Sequence, residues 1–257
     1  MDLAKTVKSP QKVVGDMGSV SSELNNKNES PISWYSAVTH PVEKTQISSS
    51  DTAMIIIDMQ HGCGHPDYGL GRVAKEKGLG HTLEYLFDRI AKIATPNIRL
   101  LMDTCKKKDI EVIHVISQTT WSGREMSRQY KLSLGPDTYM YKIGSKEAEI
   151  LPELTPPEDA IIVQKFASGA FNSSPIDTVL RSLEITNLIV TGISTSHCVE
   201  NAVRAASDIG YNVILIDDAT AEASESSHKN TLEVLGDIYC HVMMTDEMCQ
   251  MINDIKC

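Results

Sequence analysis

The sequence has no basic excess. Its 24 Lys and Arg are outnumbered by 34 Asp and Glu, giving a formal net charge of −10. Nucleic-acid-binding proteins usually carry a basic footprint, so that class is set aside. It also has no stretch near the ~20 apolar residues of a membrane span, and no membrane partner is expected. The opening residues, MDLAKTVKSPQKVVGD, lack the apolar core of a secretory signal, which makes a cytoplasmic location the expectation. None of the six cysteines (Cys63, Cys105, Cys198, Cys240, Cys249 and Cys257) forms a C-x-x-C pair. Zinc ribbons and thioredoxin motifs are thereby excluded. Reduced thiols are expected, most of them inert small hydrophobes.

The chain has 257 residues, 41 % of them hydrophobic. That fits one α/β domain with an appendage better than two full domains. Residues 1–50 are rich in Ser, Asn, Lys and Glu and lack sustained periodicity, so they read as a flexible arm. Trp34, Tyr35 and Val38 are its candidate docking residues, with a plain disordered tail as the alternative. Residues 51–257 form the predicted domain. Short apolar runs alternate there with helical patterns. The runs are AMIII (53–57), EVIHVI (111–116), AIIV (160–163), NLIVTGI (187–193), NVILI (212–216) and HVMM (241–244). Helices are expected from Thr95-Pro96, with Thr95 as N-cap, from Ser174-Pro175, from about Cys198 to Ile209, and over about 224–235. Such alternation predicts a doubly wound, mainly parallel six-stranded sheet with helices on both faces.

Ligands of open parallel sheets bind at the carboxyl ends of the strands, so chemistry is sought there. The first run ends in Asp58, the third leads to Lys165, and the fourth leads through TGISTSHC to Cys198. Each has a bland reading: a turn carboxylate, a solvated lysine, a packing thiol. A carboxylate, an ammonium and a thiol at one sheet edge are much harder to ascribe to chance. Cys198 also opens a predicted helix, whose unpaired N–H groups, with a nearby lysine, are expected to lower a thiol's pKa.

The combination of IIIDMQ, a Lys after the third strand, and VTGISTSHCVENAVRAASDIGY resembles the isochorismatase-like cysteine hydrolases, over about residues 52–248. The resemblance implies an Asp-Lys-Cys triad on Asp58, Lys165 and Cys198. It also implies a cis peptide at Ile193-Ser194 that aims the backbone N–H groups of Ser194 and Cys198 at a substrate oxyanion. It further implies a homo-oligomer. The expected activity is hydrolysis of a small-molecule substrate by nucleophilic acyl transfer.

Nicotinamidases of this family hold a metal through D-x-H after the second strand. Here SQTTWSGREMSRQYK (117–131) contains neither Asp nor His, and no cofactor is expected. His61, Cys63 and His65 have ligand-like spacing but no evident fourth partner, and read as a Gly-rich loop beside the site. TTWSGREMSRQYKL and FASGAFNSSPID look like segments of ureidoacrylate-type relatives, with Ser122 and Met126 as departures. Arg124 and Arg128 are then candidates to clamp a substrate carboxylate, the alternative being solvated surface arginines. Gln60, Trp121, Phe166 and Phe171 are further candidate substrate contacts, although buried aromatics are commonly plain core. Three readings follow: a C–N hydrolase of amide or ureido compounds, an isochorismatase cleaving a vinyl ether, and a catalytically silent binding protein. The thiol favours the first, and the complete triad disfavours the third.

Overall fold

The computed structural model describes residues 46–120, 122–134 and 141–256. Six strands form one sheet: β1 (Thr52–Ile57), β2 (Glu111–Ser117), β3 (Ile161–Lys165), β4 (Asn187–Ile193), β5 (Asn212–Ala221) and β6 (His241–Met243). Their order is β3-β2-β1-β4-β5-β6, and every pairing is parallel. The chain winds outward from β1 through β2 to β3. It then returns to the other side of β1 and winds outward again. The reversal falls between β1 and β4, where open α/β sheets form their ligand crevice.

Both sheet faces are covered, which explains why the strands read as unbroken apolar runs. Ala53, Ile55 and Ile57 of β1 join Leu188, Val190, Val213 and Leu215 on one face. Helices Ile176–Ser182, Glu200–Asp208 and Glu225–Gly236 cover it through Ile176, Leu180, Ala202, Val203, Ala206, Leu232 and Leu235. Met54 and Ile56 point the other way, with Ile189, Ile214 and Ile216. Helices Glu84–Arg89, Thr95–Lys107 and Thr245–Asn253 cover that face. Residues 46–50, assigned from sequence to the arm, belong to the domain: Ile47 packs on this second core, and Ser48 N donates to Asp51 Oδ1 at 2.9 Å. Trp34, Tyr35 and Val38 lie outside the described residues. Among the described residues, no helix is long and apolar enough to cross a membrane.

Thr95 does not cap a helix. Glu84–Arg89 runs through a π-helical turn, Ile90–Ala94, into Thr95–Lys107, and Ala94 and Thr95 both have right-handed helical φ and ψ. Pro96 has no N–H for the preceding turn, and wider turns accommodate such a gap without ending the helix. Gly210 follows Ile209 with φ 100°, as expected of a C′ glycine, and Tyr211 N donates to Ala206 O.

Candidate active site

The register aligns the strand ends. Ser117 of β2 pairs with Lys165 of β3, and Ile57 of β1 pairs with Gly192 of β4. Asp58 follows β1 with φ 53°, a left-handed value uncommon for a non-glycine residue and frequent at functional sites. Its N–H donates to Val115 O at 2.9 Å. Gly192 has φ 109°, and a Cβ there would lie 2.1 Å from the Ile57 carbonyl oxygen. Only glycine lets β4 pass so close to β1 where both strands deliver site residues.

Asp58, Lys165 and Cys198 meet at this edge, nearly removed from solvent. Lys165 Nζ lies 2.9 Å from Asp58 Oδ2 and donates to Cys198 Sγ at 3.4 Å, to Ser117 Oγ at 3.0 Å and to Ala167 O at 3.0 Å. Ser117 Oγ donates to Asp58 Oδ1 at 3.0 Å, so the carboxylate is held through both oxygens. Burial disfavours the Lys165 ammonium, but the Asp58 carboxylate outweighs it and holds the pKa above the usual lysine range. The thiol shifts opposite to the sequence expectation. Burial first, then the Asp58 charge, push Cys198 up to about 11 against the pull of Lys165. Lys165 pulls it down, but desolvation of a thiolate beside a carboxylate exceeds that pull. The resting group is a thiol hydrogen-bonded to Asp58. Cys105 and Cys240 are pushed up to about 12 by burial.

Cys198 does not open a regular helix. It lies in a π-helical turn, Thr195–Val199, that precedes Glu200–Asp208. The peptide Ile193-Ser194 is cis. Ser194 O accepts from His197 N and Val199 N. Two buried side chains anchor the turn from behind. Thr195 Oγ1 is 2.9 Å from His228 Nδ1, whose Nε2 lies 2.9 Å from Asp217 Oδ1. Arg89 Nη2 donates to the same Asp217 oxygen at 3.0 Å. Glu222 Oε2 accepts from Ser196 N at 2.8 Å and Ser196 Oγ at 2.7 Å, and its Oε1 accepts from Ala223 N at 2.7 Å. Burial opposes the Glu222 charge, but His197, Ser196 and these N–H groups together hold its pKa down at about 2.

The remaining candidates separate. Gln60 is fully buried, and its amide is used internally: Nε2 donates to Ser117 O and Ala148 O, and Oε1 accepts from Ser117 N. It splices β2 to the loop at 148 and offers no donor to a substrate. Phe171 packs on the core against Tyr211, with ring centroids 5.8 Å apart. Phe166 is half-buried, and its carbonyl accepts from Ser127 N at 2.9 Å, tying the 122–134 segment beside Lys165. Arg124 and Arg128 are exposed on that segment. Trp121 lies outside the described residues. His61–Gly64 is one helical turn, not an open loop, and Gly62 lies against Tyr141, whose hydroxyl is 3.3 Å from Cys63 Sγ. Among the described residues, no cluster of His, Cys, Asp and Glu is arranged to hold a metal ion. The residues missed from sequence are Ser117, Ser168, Glu222 and His228. Ser117 was within reach of the strand-end rule. The other three carry no local signal.

A buried carboxylate, ammonium and thiol at the switch point of a parallel sheet can carry hydrolysis by nucleophilic acyl transfer. The isochorismatase-domain family matches residues 52–247, and the chain belongs to that family. A ureidoacrylate amidohydrolase RutB from Rhizobium rhizogenes is 26 % identical over 75 % of this chain and 80 % of its own length. The RutB of Pseudomonas syringae pv. syringae is 32 % identical, but over 44 % of this chain and only 46 % of its own. Among solved structures, a cysteine hydrolase from Pseudomonas syringae pv. phaseolicola superposes with TM-score 0.71 at 22 % identity, covering 84 % of this chain and 98 % of that one. An N-carbamoylsarcosine amidase from Thermoplasma acidophilum gives 0.58 at 18 %, covering 76 % and 97 %. These two likenesses concern the fold.

Proposed function

We propose that this chain is an amidohydrolase that cleaves the C–N bond of a small amide or ureido compound through a thioester on Cys198. The observation carrying this reading is the Lys165 ammonium, 2.9 Å from Asp58 Oδ2 and 3.4 Å from Cys198 Sγ. Asp58 accepts the thiol proton as sulfur attacks the carbonyl carbon. Lys165 balances the negative charge, which passes from carboxylate to sulfur without leaving its reach. Backbone N–H groups of Ser194 and Cys198 receive the oxyanion. Asp58 then protonates the leaving amine, and the same carboxylate activates the water that hydrolyses the thioester. A resting thiol near 11 suits this order, because proton transfer accompanies attack and no standing thiolate is needed. Arg124 and Arg128, held beside the site by the Ser127–Phe166 bond, are the groups to meet a substrate carboxylate. The RutB relatives support the ureido class of substrate.

The test is turnover of a panel of ureido acids, N-carbamoyl amino acids, simple amides and isochorismate by wild type, Cys198→Ala and Asp58→Asn. Release of ammonia or amine by wild type is expected to fall by about three to six orders of magnitude in Cys198→Ala. Full amide turnover in that variant rules out the thioester. Isochorismate turnover that survives in it, but is lost in Asp58→Asn, replaces this reading with vinyl-ether hydrolysis.

A further inference from the structure

Lys165 is spread thin. Its ammonium serves Asp58, Ser117, Ala167 and Cys198, and the sulfur contact, at 3.4 Å, is the longest of the four. A second group reaches the same sulfur. Ser168, in the loop after β3, places its hydroxyl 3.6 Å from Cys198 Sγ in donor geometry. Asn201, from Glu200–Asp208, donates Nδ2–H to Ser168 Oγ at 3.2 Å and to His197 O at 3.1 Å. Tyr130, from the helix Arg128–Leu134, is hydrogen-bonded to Ser168 as well.

We propose that Ser168 is a further catalytic residue, whose hydroxyl donates to the Cys198 sulfur and shares with Lys165 the negative charge that forms there. This rests on the thioester reading. The valences fit. A thiol sulfur has one proton and two lone pairs. The proton faces Asp58, and Lys165 and Ser168 each address a lone pair. Ser168 has a single proton to give. The Asn201 amide N–H is a donor only, so it fills a lone pair on Ser168 Oγ without competing for that proton. Tyr130 keeps its own proton at neutral pH, since burial pushes the phenol up to about 12, and it can fill the other lone pair. With Asn201 and Tyr130 both donating to its oxygen, the Ser168 O–H points at sulfur.

The step balances on these groups. The S–H bond breaks and an O–H bond forms on Asp58. The sulfur electron pair forms the S–C bond, and the carbonyl π pair moves to oxygen. As the proton leaves, the Ser168 hydrogen bond changes from one to a neutral thiol into one to a charged sulfur. Charge-assisted bonds are about twice as strong as neutral ones. Ser168 thus binds the transition state more tightly than the resting site, the condition for accelerating a step.

The experiment follows alkylation of Cys198 by iodoacetamide, read by peptide mass spectrometry across the neutral to alkaline range. It requires no substrate and no oxyanion hole. Cys105 and Cys240 serve as buried reference thiols, and thermal unfolding confirms that each variant is folded. Ser168→Ala is expected to slow Cys198 alkylation about tenfold at neutral pH and to move its rise about one pH unit alkaline. Ser168→Thr, which retains the hydroxyl, is expected to restore both. A reactive wild-type Cys198 with an unshifted Ser168→Ala profile overturns the role of the serine alone. A wild-type Cys198 no faster than Cys105 and Cys240 overturns the nucleophile reading, and the serine with it.

Discussion

Asp58 and Lys165 are both nearly inaccessible to solvent, so each is the condition for the other. Removing one charge from a buried pair leaves the other uncompensated, at a cost of about 3–5 kcal/mol. Lys165→Met is therefore expected to destabilise the fold by about that amount, through the stranded Asp58 carboxylate. Adding Asp58→Asn to it should recover at least about 1 kcal/mol, because the pair is removed together. Denaturant unfolding of both singles and the double checks this; strictly additive losses would show that the two charges are not coupled. Neither variant should turn over substrate. The convergence of Asp58, Lys165 and Cys198 is legible in the sequence because an Asp, a Lys and a Cys each lie at the end of an apolar run with no structural need for their chemistry. Gln60 is misread for the converse reason. Its D-x-Q position suggests a substrate contact, yet its partners Ser117 and Ala148 are far along the chain and carry no pattern that would reveal them. Ser168 is hidden in a segment rich in serine, where only distance to Cys198 separates it from its neighbours.

At the level of elements, the turn Thr195–Val199 is the part of the site with the least regular backbone and the most side-chain support. Glu222 ends β5 by continuing past it and closes on the turn through Ser196 N–H, Ser196 hydroxyl and Ala223 N–H. Glu222→Ala leaves two half-buried backbone donors, Ser196 N and Ala223 N, without their acceptor, each costing less than the about 1–3 kcal/mol of a fully buried one. The expected result is a lower thermal midpoint and a fall in kcat larger than the change in KM, since the turn carries Cys198. Glu222→Gln keeps an acceptor and should restore part of both; a Glu222→Ala enzyme with unchanged kcat removes the turn-anchoring role. The strands are legible because burial on two faces makes them uniformly apolar. The helix Thr95–Lys107 is legible, but its continuation back through Ile90–Ala94 to Glu84 is not. Its Thr-Pro pair has the form of a helix start, but packing of Leu86, Ile90 and Ala94 on the core carries the helix through Pro96. That tertiary override of a local stop signal has no trace in the Thr-Pro pair itself.

For the whole molecule, strand order is the feature the sequence withholds, since pairings such as Ile57 with Gly192 join residues far apart in the chain. Knowing the order places His114 within β2, 1 % exposed, between β1 and β3. Its Nε2 meets no hydrogen-bond partner among the described residues. Burial, with a smaller contribution from Arg99, depresses its pKa from 6.5 to about 4. The unfolded chain therefore binds a proton at this site at a higher pH than the folded one. Stability from His114 is complete above the unfolded value and falls as pH drops from about 6.5 through about 4, by about 3 kcal/mol in all. Glu222 adds a second loss at lower pH, because its folded value of about 2 lies below its ordinary 4.5. The two windows separate in denaturant titrations run at neutral and at mildly acid pH. His114→Leu removes the first titration while deleting a nitrogen that has no partner. Its stability should therefore change little at neutral pH and decline much less than wild type on mild acidification. An equal decline in both proteins would place the acid sensitivity elsewhere in the fold.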